Sequence, residues 1–161
     1  MTSARFFRDP DLLMRYTEAS PHMEALAMRT LAVGPDGAVM ALPYDERLIG
    51  NLESGVLHGG VVTTLIDSVS GLAVLGAMAK LGPLATLDLR IDYLKPATPG
   101  RELFARAQCV KITQRIAFTR ATAYHRRGDA EDAIAVSQAT FIIKTPGTGK
   151  MPDIAETGGG A

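Results

Sequence analysis

The stretch LHGGVVTTLIDSVSGLAVL, residues 57–75, constrains the fold of this chain more than any other segment. It is apolar over almost its whole length, which is typical of a helix buried on nearly all sides. Such a helix requires a sheet that curls around it. Its exceptions are the start His58-Gly59-Gly60 and Asp67 near its middle, because a charged group inside an apolar helix is costly unless it is paired or has a function.

Turn-rich and alternating segments on both sides of this helix predict the sheet. Apolar runs near 26–33 and 37–43 flank the turn residues of 34–37, which predicts a hairpin. Residues 44–57 have no clear period and are predicted to be a loop. The helix should stop near residues 80–83.

The sequence TLDLRIDYLKP then alternates, which predicts a half-buried strand with two distinct faces. The expected apolar face holds Leu87, Leu89, Ile91 and Tyr93, and the expected polar face holds Thr86, Asp88, Arg90 and Asp92. Three further strand-like runs follow at 102–113, 116–126 and 132–144. The order predicts an α+β domain in which an antiparallel sheet of five to six strands wraps one long central helix.

With 161 residues, the chain is long enough for one domain with a substantial core. Residues 1–25 are expected to be a helical segment, with a short helix from Asp9 to Glu18. Residues 26–145 form the domain. Residues 146–161 are rich in Gly and Pro, so a disordered tail is expected there.

Composition narrows the possible partners and compartment. Lys plus Arg equal Asp plus Glu at 17 each, so neither nucleic acid nor an anionic membrane is an expected partner. The lone Cys109 excludes an intramolecular disulfide, and we expect it in the core and the protein in the cytoplasm. Asp67 and its hydroxyl neighbours argue against a membrane span at 59–79. Three scattered histidines predict no metal site, and His22 and His125 are expected on the surface.

At helical spacing, small and polar residues form one narrow seam along the apolar helix. The seam contains Gly60, Thr63, Thr64, Asp67, Ser70 and Gly71. One interpretation is close packing through small residues, with Asp67 paired to a nearby donor. The other is that the seam borders a cleft where Asp67 takes part in a reaction.

The helix start favours the second interpretation. Gly59-Gly60 places unpaired backbone N–H groups at a helix N-terminus, where they can stabilise a developing negative oxygen. Asp67 lies about 12 Å further along the axis, which is too far for both groups to act on one bond within one chain. An antiparallel partner subunit can bring its own Asp67 to this helix start, so a symmetric dimer would have two composite sites.

The span from Asn51 to Pro96, with HGG, an acidic residue eight positions after the first Gly and a later Tyr-x-x-Pro, resembles the PaaI-like hotdog-fold acyl-CoA thioesterases. The resemblance extends more loosely from Met28 to Lys144. It implies a hotdog fold, thioester hydrolysis of an acyl- or aryl-coenzyme A substrate, a homodimer with composite sites and a further association into a tetramer. Coenzyme A enters as part of the substrate, and no cofactor is implied.

The same resemblance assigns roles to individual residues. Asp67 matches the catalytic carboxylate, Gly59 the backbone donor to the thioester carbonyl, and His58 the residue that shapes the helix start. Asn51 resembles the Asn that orients water, although it lies seven residues before His58 where many members have six. Thr86 falls where a Ser or Thr can assist.

Further residues are expected to bind the substrate. Gly60, Val61 and Ser70 are predicted contacts, and an acyl pocket is expected from Val56, Leu57, Val61 and Val74. Candidate cations for the coenzyme A phosphates are Arg90, Lys95, Arg115, Arg126 and Arg127. A non-catalytic acyl-CoA-binding module and a hotdog hydratase or dehydratase are the alternative functions.

Overall fold

The computed structural model describes residues 20–78 and 82–143. The helix expected at 9–18, most of the 1–25 segment and the tail expected at 146–161 lie outside the described residues. Within them the chain forms two α-helices, one 3-10 helix and eight strands. In chain order these are α1 Pro21–Ala25, β1 Arg29–Gly34, β2 Gly37–Leu42, the 3-10 helix Glu46–Leu48, β3 Ile49–Asn51, β4 Val56–Leu57, α2 Gly59–Ala77, β5 Leu84–Tyr93, β6 Leu103–Ile112, β7 Ile116–Arg127 and β8 Ala130–Ile143.

Six of the strands form one antiparallel sheet in the order β1-β2-β6-β7-β8-β5. The long helix α2 packs against β1, β2, β5, β6, β7 and β8. The predicted α+β hotdog architecture, one long helix wrapped by an antiparallel sheet, is therefore confirmed. Strand β5 follows the helix in sequence and forms one edge of the sheet, next to β8.

The apolar sequence of α2 is explained by its position in the core. Leu65, Ile66 and Val69 are completely buried and belong to the main hydrophobic cluster, which spans the helix and the inner face of the sheet. Burying each such side chain contributes about 1.5–3 kcal/mol to folding. The helix is long and apolar enough to cross a membrane by length and composition, but more than half of it is buried inside the domain.

A β-bulge in β5 overturns the predicted faces of this strand. Thr86 pairs with Phe141 and Asp88 with Thr140, so Leu87 is the extra, unpaired residue. An extra residue reverses the alternation of side chains. Leu87 is therefore 57% exposed instead of buried, and Thr86 faces the helix together with the residues at 89 and 91.

The segment at 44–57 is more ordered than the predicted loop. It contains the 3-10 helix, capped by Asp45, which accepts a hydrogen bond from the Arg47 N–H at 2.8 Å. The short strands β3 and β4 then pair with each other before the long helix begins. Gly50 packs so closely on His58 that a Cβ atom there would lie 2.8 Å from the His58 Cα. This segment fixes the start of α2.

The prediction that His125 lies on the surface is wrong. Its side chain is completely buried, with Nδ1 2.7 Å from the Glu102 carbonyl oxygen and Nε2 2.9 Å from the Thr98 backbone nitrogen. A carbonyl only accepts and an N–H only donates, so Nδ1 carries the proton and Nε2 accepts. His125 thereby ties the connection between β5 and β6 to β7.

Candidate active site

The N-terminus of α2 is capped by His58, whose Nδ1 accepts a hydrogen bond from the Gly60 N–H at 2.9 Å. The His58 N–H donates to the Leu48 carbonyl at 2.9 Å, and the His58 carbonyl accepts from the Val61 N–H at 2.9 Å. A Cβ at Gly60 would lie 2.9 Å from the His58 Nδ1, so a larger residue here would displace the capping ring. His58 therefore shapes the helix start, in agreement with its predicted position.

Gly59 keeps a free backbone donor at this helix start. Its N–H has no acceptor among residues 20–78 and 82–143, whereas the N–H groups of His58, Gly60 and Val61 are all engaged. A Cβ at Gly59 would meet only the Tyr93 hydroxyl, at an ordinary 3.4 Å. Packing within the chain does not demand glycine here. The missing side chain leaves access to an N–H that the helix dipole makes a good donor to negative charge.

Tyr93 binds the carbonyl of Gly59. Its hydroxyl donates to the Gly59 carbonyl at 2.8 Å, and Thr63 Oγ1 lies 3.0 Å from that hydroxyl and 3.1 Å from the same carbonyl. The sequence showed Tyr93 only as part of the Tyr-x-x-Pro pattern and gave it no role. Its contact with Gly59 depends on where β5 crosses the helix.

Asp67 is half-buried on α2, and Thr86 from β5 donates a hydrogen bond from Oγ1 to its Oδ1 at 2.8 Å. Oδ2 accepts no hydrogen bond from the described residues. One carboxylate oxygen is thus fixed while the other is available. The structure brings Thr86 and Asp67 together through the bulge at Leu87.

Within one chain, the free N–H and the carboxylate do not meet. Gly59 and Asp67 are eight residues apart on a continuous helix, or about 12 Å along its axis. Each half has a suitable chemical role: an N–H for a carbonyl oxygen that becomes negative, and a carboxylate to take a proton or to attack. The free donor and the carboxylate therefore lie at separate points of one chain.

Asn51 ends strand β3 beside the helix start. Its Oδ1 accepts from the N–H groups of Glu53 at 3.0 Å and Ser54 at 2.9 Å, which closes the turn before β4. The amide oxygen is therefore used by the loop, and only the amide NH₂ is left for a water or substrate. The exposed Asn51 can orient a water only as a donor.

An apolar cavity of about 380 Å³ opens beside Gly59. Besides Gly59, its lining consists of Val56, Leu57, Val62, residues 93–97 and Ile134. Of the four predicted pocket residues, Val56 and Leu57 line this cavity. Val61 and Val74 do not line it; they are buried in the first and second core clusters, respectively.

Gly60 and Ser70, which were predicted to contact the substrate, do not line the cavity. The Gly60 N–H is taken by the His58 cap. Ser70 is completely buried, and its Oγ has no hydrogen-bond partner within the described part of the chain. These two residues lie on the same helix as the site, and neither lines the cavity.

The candidate cations are partly neutralised. Lys95, on the cavity wall, forms an ion pair with Asp132, and its hydrogen bond holds the pKa of that carboxyl below its usual value. Arg90 pairs with Asp92 at 3.1 Å, and Arg126 lies 4.2 Å above the Phe104 ring. Within the described ranges, no group of three or more His, Cys, Asp or Glu side chains is arranged to hold a metal ion. Cys109 is half-buried, and burial raises the pKa of its thiol.

Sequence comparison identifies the family. The chain is 35% identical to human acyl-coenzyme A thioesterase 13 over 110 residues, which cover 68% of this chain and 76% of that protein. The sequence model of the Thioesterase superfamily matches residues 54–131, the segment from the turn before β4 into β8. The chain belongs to the thioesterase superfamily.

Other members of the thioesterase superfamily agree in sequence and in fold. The Escherichia coli medium/long-chain acyl-CoA thioesterase YigI is 25% identical over 136 residues, covering 76% of this chain and 85% of that one. A solved mutant structure of the phenylacetic acid degradation protein PaaI from Thermus thermophilus superposes with a TM-score of 0.67. It is 30% identical and covers 78% of this chain and 100% of that chain. The predicted PaaI-like hotdog thioesterase is confirmed, and the protein is a thioester hydrolase.

Proposed function

We propose that this protein hydrolyses acyl-coenzyme A thioesters at two composite sites of a homodimer. The observation that carries the proposal is the free Gly59 N–H at a capped helix start, beside an apolar cavity. A thioester carbonyl oxygen placed on this N–H would be stabilised as it becomes negative. One preorganised donor of this kind lowers the activation free energy by roughly 3 kcal/mol.

Asp67 of the partner subunit would deliver the attack. As a general base, it takes a proton from a water whose oxygen bonds to the carbonyl carbon, and the proton then passes to the leaving thiolate of coenzyme A. As a nucleophile, its Oδ2 bonds to the carbonyl carbon, the C–S bond breaks to release the coenzyme A thiolate, which takes a proton from solvent, and water then hydrolyses the resulting anhydride to the free acid and the Asp67 carboxylate. In both cases the Thr86 hydroxyl holds Oδ1 and leaves Oδ2 to react.

The geometry of β5 supports the dimer. Thr86, near the start of β5, contacts Asp67, and Tyr93, at the end of β5, contacts Gly59. The two ends of the strand therefore lie beside the two groups of the site. Antiparallel pairing of β5 with the partner's β5 about its middle would place the start of one strand opposite the end of the other. The partner's Asp67 would then lie beside Gly59 of this chain.

The exposure of β5 supports the same pairing. It is an edge strand of ten residues, and all ten are half-buried or exposed. Leu87 and Leu94 are each 57% exposed and Tyr93 is 50% exposed. A long edge strand with large apolar side chains pairs with another strand unless it is covered. A second copy of the chain is the occupant that also completes the site.

A further association of dimers into a tetramer is consistent with the outer face of the sheet. Val110, Phe118 and Val136 project from this face and are exposed large apolar side chains. Isolated apolar side chains are common on protein surfaces, so the dimer is the part of the assembly that the function requires.

The acyl chain would enter the cavity beside Gly59. An acyl group begins at the carbonyl carbon, so a carbonyl bound to the Gly59 N–H directs the chain into the adjacent apolar space. The volume of about 380 Å³ and the lining by Val56, Leu57 and Val62 suit an aliphatic chain of medium or long length. The known substrate class of the Escherichia coli relative, medium- and long-chain acyl-CoA, supports this choice.

The test is thiol release from a panel of short, medium, long and aryl acyl-CoA esters by the wild-type protein. We expect turnover that is fastest for medium or long aliphatic chains and that is abolished in Asp67→Asn. Tight binding without thiol release would favour an acyl-CoA-binding module instead. Nearly full hydrolysis by Asp67→Asn would overturn the role of this carboxylate.

A further inference from the structure

We infer that Tyr93 is a positioning residue, which aligns the Gly59 N–H by holding the Gly59 carbonyl. This inference rests on the proposed function, in which that N–H stabilises the oxyanion. Tyr93 touches neither reacting bond in this role. It acts on the conformation of the residue that does.

The helix start consists of two consecutive glycines, Gly59 and Gly60. Consecutive glycines have more backbone freedom than any other residue pair, and a donor that moves loses its catalytic value. Gly60 is fixed by the His58 cap at 2.9 Å. Gly59 has an unengaged N–H and no side chain. Its carbonyl is therefore the group through which described residues outside the helix can restrain it.

The Gly59 carbonyl oxygen, the Tyr93 hydroxyl and Thr63 Oγ1 form a closed triangle. The Tyr93 hydroxyl donates to the Gly59 oxygen at 2.8 Å, while Thr63 Oγ1 lies 3.0 Å from one and 3.1 Å from the other. Tyr93 has one proton to donate, and the carbonyl can only accept, so the direction of that bond is fixed. The restraint therefore comes from β5 and not only from the helix itself.

Strand β5 directs Thr86 and Tyr93 to the helix, although their spacing predicts opposite faces. Thr86 and Tyr93 are seven residues apart and would face opposite sides of a regular strand. The bulge at Leu87 brings both onto the helix side, where one holds Asp67 and the other holds Gly59. One strand thus positions both halves of the site, and this strand is the edge that would pair in the dimer.

The test is Tyr93→Phe, which removes the hydroxyl and keeps the ring on the cavity wall. We expect kcat to fall by about 10- to 100-fold, as small misplacements of catalytic groups do, with KM changed less than about twofold. The control is Tyr124→Phe. This tyrosine is buried against Phe104, away from the helix start, and its variant should keep wild-type kcat.

A second readout does not depend on hydrolysis. The ¹⁵N order parameter of the Gly59 amide should be near that of rigid backbone, about 0.85, in the wild type and should fall toward about 0.6 in Tyr93→Phe. An unchanged order parameter, or a kcat above half of wild type, overturns the inference. A wild type that releases no thiol, together with a fall of the order parameter in Tyr93→Phe, refutes the proposed activity and leaves the positioning role standing.

Discussion

Thr86 on the edge strand donates a 2.8 Å hydrogen bond to Asp67 on the central helix, and it does so because the strand bulges at Leu87. In a regular strand the Thr86 side chain would face away from the helix. Bulges commonly redirect a side chain beside an active site. The bulge in β5 therefore turns the Thr86 hydroxyl toward the carboxylate that we propose acts on the substrate.

Removing this hydroxyl tests its contribution. Thr86→Val should lower kcat by roughly tenfold or more, because a hydrogen bond to a charged group contributes about 1.5–3 kcal/mol. Steady-state thiol release measures the effect. The matched control is Thr122→Val, a half-buried position on the outer face of β7, where no change is expected. Equal effects at both positions would show that the Thr86 contact has no catalytic role.

The two glycines at the helix start should respond differently to alanine. Gly59→Ala meets no clash within the chain but fills the space in front of the free N–H, so kcat/KM should fall about a hundredfold with stability kept or slightly raised. Gly60→Ala places a Cβ 2.9 Å from the His58 ring, and loss of the cap should cost about 1 kcal/mol in the free energy of unfolding. Urea unfolding and thiol release, measured on both variants, separate the effects. A destabilised Gly59→Ala with full activity would contradict this division.

The cavity beside Gly59 should set the preferred chain length. Val56→Phe narrows it, and we expect the ratio of kcat/KM for butyryl-CoA to that for palmitoyl-CoA to rise at least about tenfold. Val39→Phe is the control, since it makes the same enlargement of a side chain at a half-buried position of β2 that does not line the cavity. An unchanged ratio in Val56→Phe would place the acyl chain elsewhere.

His125 should be a stability residue. His125→Phe leaves the Thr98 N–H and the Glu102 carbonyl without their partner in a buried site, and should lower the free energy of unfolding by about 2–4 kcal/mol. His22→Phe, at an exposed position, should change it by less than about 0.5 kcal/mol. Chemical denaturation of the two variants decides between a structural and a surface role for His125.

The sequence predicted the architecture well, because the apolar run of α2 and the alternation of the later strands report directly on burial. It misplaced Thr86 and Leu87, because the unpaired Leu87 reverses the alternation of the residues before the bulge relative to those after it, and the alternating sequence does not reveal a bulge. It also misplaced His125, because the partners of this ring are backbone groups of a distant connection.

The same limit applies within the site. Gly59 and Asp67 could be proposed from their positions on one helix, and the structure adds the groups that hold them. Tyr93 could not be assigned from sequence, since its hydroxyl reaches Gly59 only through the crossing of β5 over the helix start. The helix sequence contains the proposed reacting groups, whereas the residues that hold these groups in place are brought to them by the tertiary structure.

The central claim, that Gly59 of one subunit acts with Asp67 of the other, is tested most directly by mixing two impaired variants. Gly59→Ala and Asp67→Asn are unfolded together, refolded as a mixture and assayed for thiol release. In a mixed dimer, one site joins both intact residues, so a statistical mixture should recover about a quarter of wild-type activity, well above either parent. Activity no higher than the average of the two parents would show that each site lies within a single chain and would contradict the account.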